Sequence, residues 1–258
     1  MFMWVMLFLV SCSGSKDTGP PTSSVLLGLI NQERGSRNLS FFLFFLFFLT
    51  NLLAQSAQSK TIHIFGDSLF SIHSHRVAQE LSDIYNWPTP RAIIKDYSRL
   101  GATVSMIQSQ YYSASDDSDD SDDVKTAIIN GGANDILLHS LWCYTKENQT
   151  LSSECKVIIR SLIADSFANL INQMYTDGVQ EILVLTSYHM KYPNTLFNQA
   201  IDYSVSIWSE TCTHYGCKLI DMRQYVNSFD KDFYWFDGSH PSDLGSRRIA
   251  RLIYWNLN

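Results

Sequence analysis

The sequence predicts an α/β protein: a central five-stranded parallel sheet with helices on both faces. Three observations carry that prediction. From Lys60 onward, short apolar runs alternate with longer stretches of helical spacing. Glycines punctuate the pattern: Gly66 closes the first apolar run, and Gly178 and Gly216 close two helical stretches. The connections are long enough for right-handed crossovers, which place parallel strands side by side under helices.

The elements read in order as follows. Residues 61–65 form a short buried strand ending at Gly66. Residues 75–85 are helical, because Val77, Leu81, Ile84 and Tyr85 share a face. A second strand spans 91–97, and 103–112 can form a helix. Residues 125–130 are a third strand centred on Ala127, Ile128 and Ile129. A long helix covers 153–175. A fourth strand, rich in Ile, Leu and Val, covers 181–187. Residues 196–215 are helical, 218–222 form a fifth strand, and 244–255 close the chain as a helix. No internal repeat and no second globular domain is visible.

The chain has 258 residues and a formal net charge of −6, enough for one domain with a sizeable core. No basic stripe occurs, which argues against a nucleic-acid partner. Much of the acidity sits in one run of aspartates over 116–123. That run lacks the central glycine and terminal glutamate of an EF-hand loop, so it reads as a solvated acidic loop, and no metal site is expected.

Residues 1–56 read as a targeting region and 57–258 as the globular domain. Arg34 and Arg37, an apolar run over 41–53 and the small residues Ala54-Gln55-Ser56-Ala57 make a three-part secretory signal. The apolar run is shorter than the roughly 20 residues of a membrane span. A second signal precedes it, because Leu9-Val10-Ser11-Cys12 resembles a bacterial lipobox. The more complete pattern at 34–56 is preferred, with the segment before it an N-terminal extension; a lipid anchor on Cys12 is the alternative. Export implies a periplasmic or secreted protein. Four cysteines then remain, and their proximity in sequence pairs Cys143 with Cys155 and Cys212 with Cys217 as disulfides. Four buried thiols are the competing reading.

In an open parallel sheet, ligands bind beyond the carboxyl ends of the strands. Ser68 follows the first strand, Gly101 the second, Asn134 the third and His189 the fourth, while Asp237 and His240 precede the last helix. All of them can reach one rim. A serine hydroxyl needs a base to take its proton. His240 is the candidate, with Asp237 three residues earlier to fix its tautomer. Pro241 keeps His240 out of helical geometry. The Ser68 and Gly101 backbone amides and the Asn134 side-chain amide can together bind an oxyanion. Trp142, Tyr188, His189 and Met190 are candidates for lining the substrate pocket, an ordinary loop being the equal alternative for the 188–190 segment. His63, inside a strand, is read as structural, and Asp67 and Asp135 as turn-formers.

These segments resemble the SGNH (GDSL-type) hydrolases. Gly66-Asp67-Ser68-Leu69 matches the first block, Gly101 the second, Gly132-Ala133-Asn134-Asp135 the third, and Asp237-x-x-His240-Pro241 the last. The resemblance covers about 60–258. It implies a three-layer α/β/α flavodoxin-like sandwich. It also implies esterase, lipase or thioesterase activity, with no cofactor, on a small-molecule or carbohydrate ester. The aspartate-rich loop and the cysteine pairs fall outside the family pattern. The absence of room for a large apolar lid favours small or exposed esters; a lysophospholipase or thioesterase with an apolar groove is the runner-up, and a catalytically silent binding module the rival from another class.

Overall fold

A computed structural model describes residues 60–87, 91–115, 124–140, 150–191 and 195–257. The targeting region, Cys12, the aspartate run, Trp142 and Cys143 lie outside the described residues. The chain runs β1 (Lys60–Phe65), α1 (Ser68–Asn86), β2 (Ala92–Asp96), α2 (Val104–Ser115), β3 (Thr126–Asn130), α3 (Ala133–Ser140) and α4 (Ser153–Thr176). Then come β4 (Glu181–Leu185), α5 (Thr195–Tyr215), β5 (Lys218–Ile220), a 3₁₀ turn (Met222–Gln224) and α6 (Asp243–Leu257). The five strands form one sheet in the order β2-β1-β3-β4-β5, and every pairing is parallel. This is the doubly wound flavodoxin-like order. The chain leaves β1 outward to β2 and returns past it to β3, so a crevice opens between the carboxyl ends of β1 and β3.

Strand alternation explains the two cores. Ile62, Ile64, Ile128, Leu183 and Leu185 face one side, under α1 and α6. Phe65, Ala127, Ile129, Ile182 and Val184 face the other, under α2, α4 and α5. A sheet covered twice has no polar face, and for that reason its strands read as near-continuous apolar runs. The largest fully buried side chains, Trp208, Phe65, Phe70 and Phe167 among them, each contribute roughly 1.5–3 kcal/mol of burial. His63 is buried in β1, its ring stacked near Phe65 and Tyr97.

The expected boundaries shift for local reasons. The fifth strand stops at Ile220 because Asp221 caps the 3₁₀ turn, its Oδ1 accepting from the Arg223 amide at 3.1 Å. The fourth stops at Leu185. The first helix begins at Ser68, seven residues before the helical face read from the sequence. It is broken at Ile72–His75, where His73, Ser74 and His75 all have positive φ. Such left-handed geometry costs non-glycine residues on the order of 1 kcal/mol each. The His73 ring against Trp235 and the His75 Nδ1–Asp96 contact at 2.9 Å hold it in place. The helix α3, over Ala133–Ser140, has no counterpart among the elements expected from the sequence.

Cys212 and Cys217 are bridged, tying the end of α5 to the start of β5. Cys155 is buried in the first turn of α4. Its expected partner, Cys143, is outside the described residues.

Candidate active site

The turn after β1 is shaped by close approach. A Cβ on Gly66 would lie 2.6 Å from the Phe70 ring and 3.0 Å from the Asn130 carbonyl oxygen, so only glycine lets the chain pass here. The Gly66 peptide is gripped by one buried side chain: its amide donates to Gln110 Oε1 at 2.8 Å, and Gln110 Nε2 donates back to its carbonyl at 2.9 Å. Asp67 then caps α1, its Oδ1 accepting from the Leu69 amide at 2.9 Å. Ser68 emerges half-buried at the first helical position.

Its hydroxyl meets the ring of His240, with Oγ 2.9 Å from Nε2. The other ring nitrogen, Nδ1, lies 2.5 Å from Asp237 Oδ2. The second oxygen of Asp237 accepts from the Ser239 amide at 2.9 Å and the His240 amide at 3.0 Å. One carboxylate thus builds the turn and holds the imidazole. Partial burial pushes Asp237 upward. The hydrogen bonds from the His240 amide and ring and the Ser239 amide outweigh this, bringing it down to about 2. His240 lies in a bend outside any helix, as Pro241 favours. The His240 carbonyl accepts from the Trp235 amide at 2.8 Å, and Pro241 bridges to Tyr234. With Nδ1 facing a carboxylate, Nε2 is free to accept the hydroxyl proton.

Across the cleft, Asn134 Nδ2 donates to the Ala102 carbonyl at 3.0 Å and lies 3.5 Å from Asp67 Oδ2. An amide carries two N–H donors. One is fixed on the Ala102 carbonyl, and the other, at the long end of bonding distance, can turn to a ligand oxygen. Gly101 has φ +75°, a conformation that favours glycine although the space beside it is open. Asp135 Oδ2 accepts from the Val104 amide at 3.0 Å and so caps α2 from another helix. Burial raises Asp135 above the usual carboxylate range. Burial also raises Asp67, to about 6, against the pull of the Leu69 amide and the nearby His240.

Ser68, Gly101, Asn134 and His240 line one cavity of about 250 Å³. Tyr188 and Met190 line it too; the Tyr188 hydroxyl donates to the Ser239 carbonyl at 2.9 Å. His189 does not. Its Nε2 lies 2.8 Å from Asp202, on the ion pair that Asp202 makes with Arg223. Ser187, Tyr188 and Met190 line the cavity, whereas the His189 ring is held on Asp202. Gln110 and Asp135 are the supporting residues that sequence reasoning missed or underrated. Gln110 carried no signal at all, whereas Asp135 stands in a motif beside Asn134. Among the described residues, no cluster of three His, Cys, Asp or Glu side chains could hold a metal ion.

A family model described as GDSL-like lipase/acylhydrolase matches residues 62–253. Solved structures with the same fold include a lipase/acylhydrolase from Enterococcus faecalis, at 16% identity and a TM-score of 0.54, covering 77% of this chain and 95% of the other. The psychrotrophic esterase EstA from Pseudoalteromonas sp. aligns at 15% identity and a TM-score of 0.56, covering 78% and 100%. A catalytic mutant of the acetylxylan esterase Axe2 from Geobacillus stearothermophilus aligns at 15% and 0.56, covering 77% and 93%. A search of curated proteins returns no match.

Proposed function

The chain belongs to the GDSL-like lipase/acylhydrolase family of serine ester hydrolases, and from that premise we propose that it is an exported esterase acting through Ser68, His240 and Asp237. The contact chain from Ser68 Oγ through the His240 ring to Asp237, at 2.9 Å and 2.5 Å, carries the proposal. His240 Nε2 takes the Ser68 proton as Oγ attacks the ester carbonyl. The Ser68 and Gly101 amides and Asn134 Nδ2 stabilise the oxyanion. The imidazolium, held by Asp237, returns the proton to the departing alcohol and leaves an acyl-Ser68. Water, deprotonated by His240, attacks that ester, and the acid leaves as Ser68 recovers its proton.

The substrate is a small or exposed carboxylic ester that reaches Ser68 without a large lid, and a short-chain acyl ester is one such ester. A lysophospholipid or acyl thioester is the second reading, favoured by the apolar side chains that share the cavity. Net charge and the absence of a basic stripe speak against nucleic acid as partner. Export would proceed through the signal at 34–56, with cleavage after Ser56. Sequencing the N-terminus of the secreted protein tests this: a lipid-modified chain starting at Cys12 would replace that signal.

Ser68→Ala tests the core of the proposal. It removes only a small half-buried hydroxyl, so the fold should persist, and kcat should fall on the order of 10⁴–10⁶. A folded Ser68→Ala protein that kept most of its ester hydrolysis would refute the mechanism. A wild-type protein inert on every ester would leave a binding module on this fold.

A further inference from the structure

We infer that the cavity beside Ser68 is an acyl pocket closed to long chains, fitted to a straight acyl group of about six to eight carbons. The inference rests on Ser68 being the nucleophile and deepens that assignment.

Direction comes first. The departing oxygen must face His240 to receive its proton, and the carbonyl oxygen must face Gly101 and Asn134. The remaining substituent, the acyl chain, therefore leaves the carbonyl away from His240. On that side the cavity wall is apolar: Leu137 comes from α3, Met190 from the segment after β4, and Phe197 and Ile201 from α5. Leu137 stands one helical turn beyond Ala133-Asn134. Phe197 and Ile201 are four apart, so they share one face of α5, and α3 packs against α5. The carboxyl and the imidazole of the lining, Asp67 and His240, both adjoin Ser68. Among the described residues, the lining carries no lysine or arginine to pair with an acidic acyl group.

Closure comes next. Leu137 is 43% exposed and stands at the mouth, whereas Phe197 and Ile201 are 3% and 0% exposed. The far wall is thus core, continuous with Trp208 and Phe167, and a chain cannot pass through it. Capacity follows from volume. The cavity holds about 250 Å³, and an atom of water size occupies about 30 Å³. About eight heavy atoms fit, two of them being the carbonyl carbon and its oxygen. A heptanoyl group fills the space, and an octanoyl group exceeds it by one carbon.

The test is kcat/KM for p-nitrophenyl esters from acetyl to palmitoyl. Each newly buried methylene should raise it by up to about fourfold, so the value should climb to hexanoyl or octanoyl and fall for dodecanoyl and palmitoyl. Acetyl esters of alcohols of increasing length should show no such climb. Ile201→Phe, which fills the floor, should lower the octanoyl-to-acetyl ratio at least tenfold. Met190→Trp, at a half-exposed position, should move the ratio the same way if Ile201→Phe fails to fold. A wild-type maximum at acetyl, a steady climb to palmitoyl, dependence on the alcohol instead, or an unmoved ratio in folded variants would overturn the acyl pocket. If Ser68→Ala silences the enzyme in those cases, the esterase assignment stands and only the pocket falls. If no ester is turned over, both fall.

Discussion

On the base side of Ser68, the carboxylate, the ring and the turn joining them are local. Asp237 and His240 are three residues apart, and every hydrogen bond of Asp237 stays within that stretch. On the oxyanion side the contacts span the chain. Gln110 grips Gly66 across 44 residues, Asn134 holds the Ala102 carbonyl across 32, and Asp135 caps Val104 across 31. All three bonds meet on α2 or the loop before it. That helix therefore ties the nucleophile turn, the Gly101 loop and Asn134 into one rigid group. The base side is partly exposed and pivots on one carboxylate; the oxyanion side is distributed, its exposed Gly101 and half-buried Asn134 held by the buried Gln110 and Asp135. A single substitution should therefore cripple the first, whereas the second should lose function in graded steps.

The largest break is on the base side. Asp237→Asn keeps an acceptor for the two turn amides but offers the imidazole the wrong partner, so kcat should fall on the order of 10⁴. Steady-state kinetics on a folded variant checks this. Retention of more than about a tenth of the rate would mean that another group orients His240. Because Asp237 is held near 2, it stays ionised at any pH where the enzyme is folded and assayed. Its contribution to stability is present above the ordinary carboxylate pKa and is lost only as pH falls toward 2.

Asn134→Ala removes one donor of the opposite side, and kcat should drop about 10²–10³ with KM little changed. An unchanged kcat would mean that the two backbone amides suffice.

Asp67 lies between the two sides, and its effect should appear in stability against pH. Its folded pKa, about 6, is above the ordinary 3.8. The native state is therefore favoured at low pH and loses stability as pH rises from about 4 through 6. The shift of about two units corresponds to roughly 3 kcal/mol. Asp67→Asn should flatten that slope in denaturant titrations at pH 4, 6 and 8. Equal slopes in both proteins would mean that Asp67 is hydrated.

The smallest effect sharpens the distributed side. Gln110→Ala leaves the Gly66 amide without its side-chain acceptor, costing about 1–3 kcal/mol, while the Gly66 carbonyl keeps the Arg99 amide at 3.0 Å. If about 1.4 kcal/mol of this appears in the transition state, kcat falls about tenfold, with KM nearly constant. Gln110→Glu keeps the acceptor for the Gly66 amide and loses the donor to its carbonyl, so it should be partly rescued in kcat relative to Gln110→Ala. Equal loss of kcat and stability in both, with KM rising, would make Gln110 a packing residue only.

The sequence by itself determined the α/β class, the order of the elements and the parallel sheet, because apolar periodicity and glycine stops are local signals. It also determined the Asp237–His240 turn, because both partners and the constraining proline lie within five residues, and the Cys212–Cys217 bridge, whose loop is as short. It did not determine α3 or the helical start at Ser68; α3 is only eight residues long and the first turn of α1 is cut off by the break at Ile72–His75, so neither carries enough turns to show a periodic face. Tyr188, His189 and Met190 are neighbours in sequence with nothing to separate them, and only the contact with Asp202, thirteen residues on, decides that the His189 ring leaves the cavity. The Gln110 clamp, the cap that Asp135 puts on α2 and the closed floor at Phe197 and Ile201 belong to tertiary structure alone. Each joins residues far apart in the chain, and no local preference of either partner records the other.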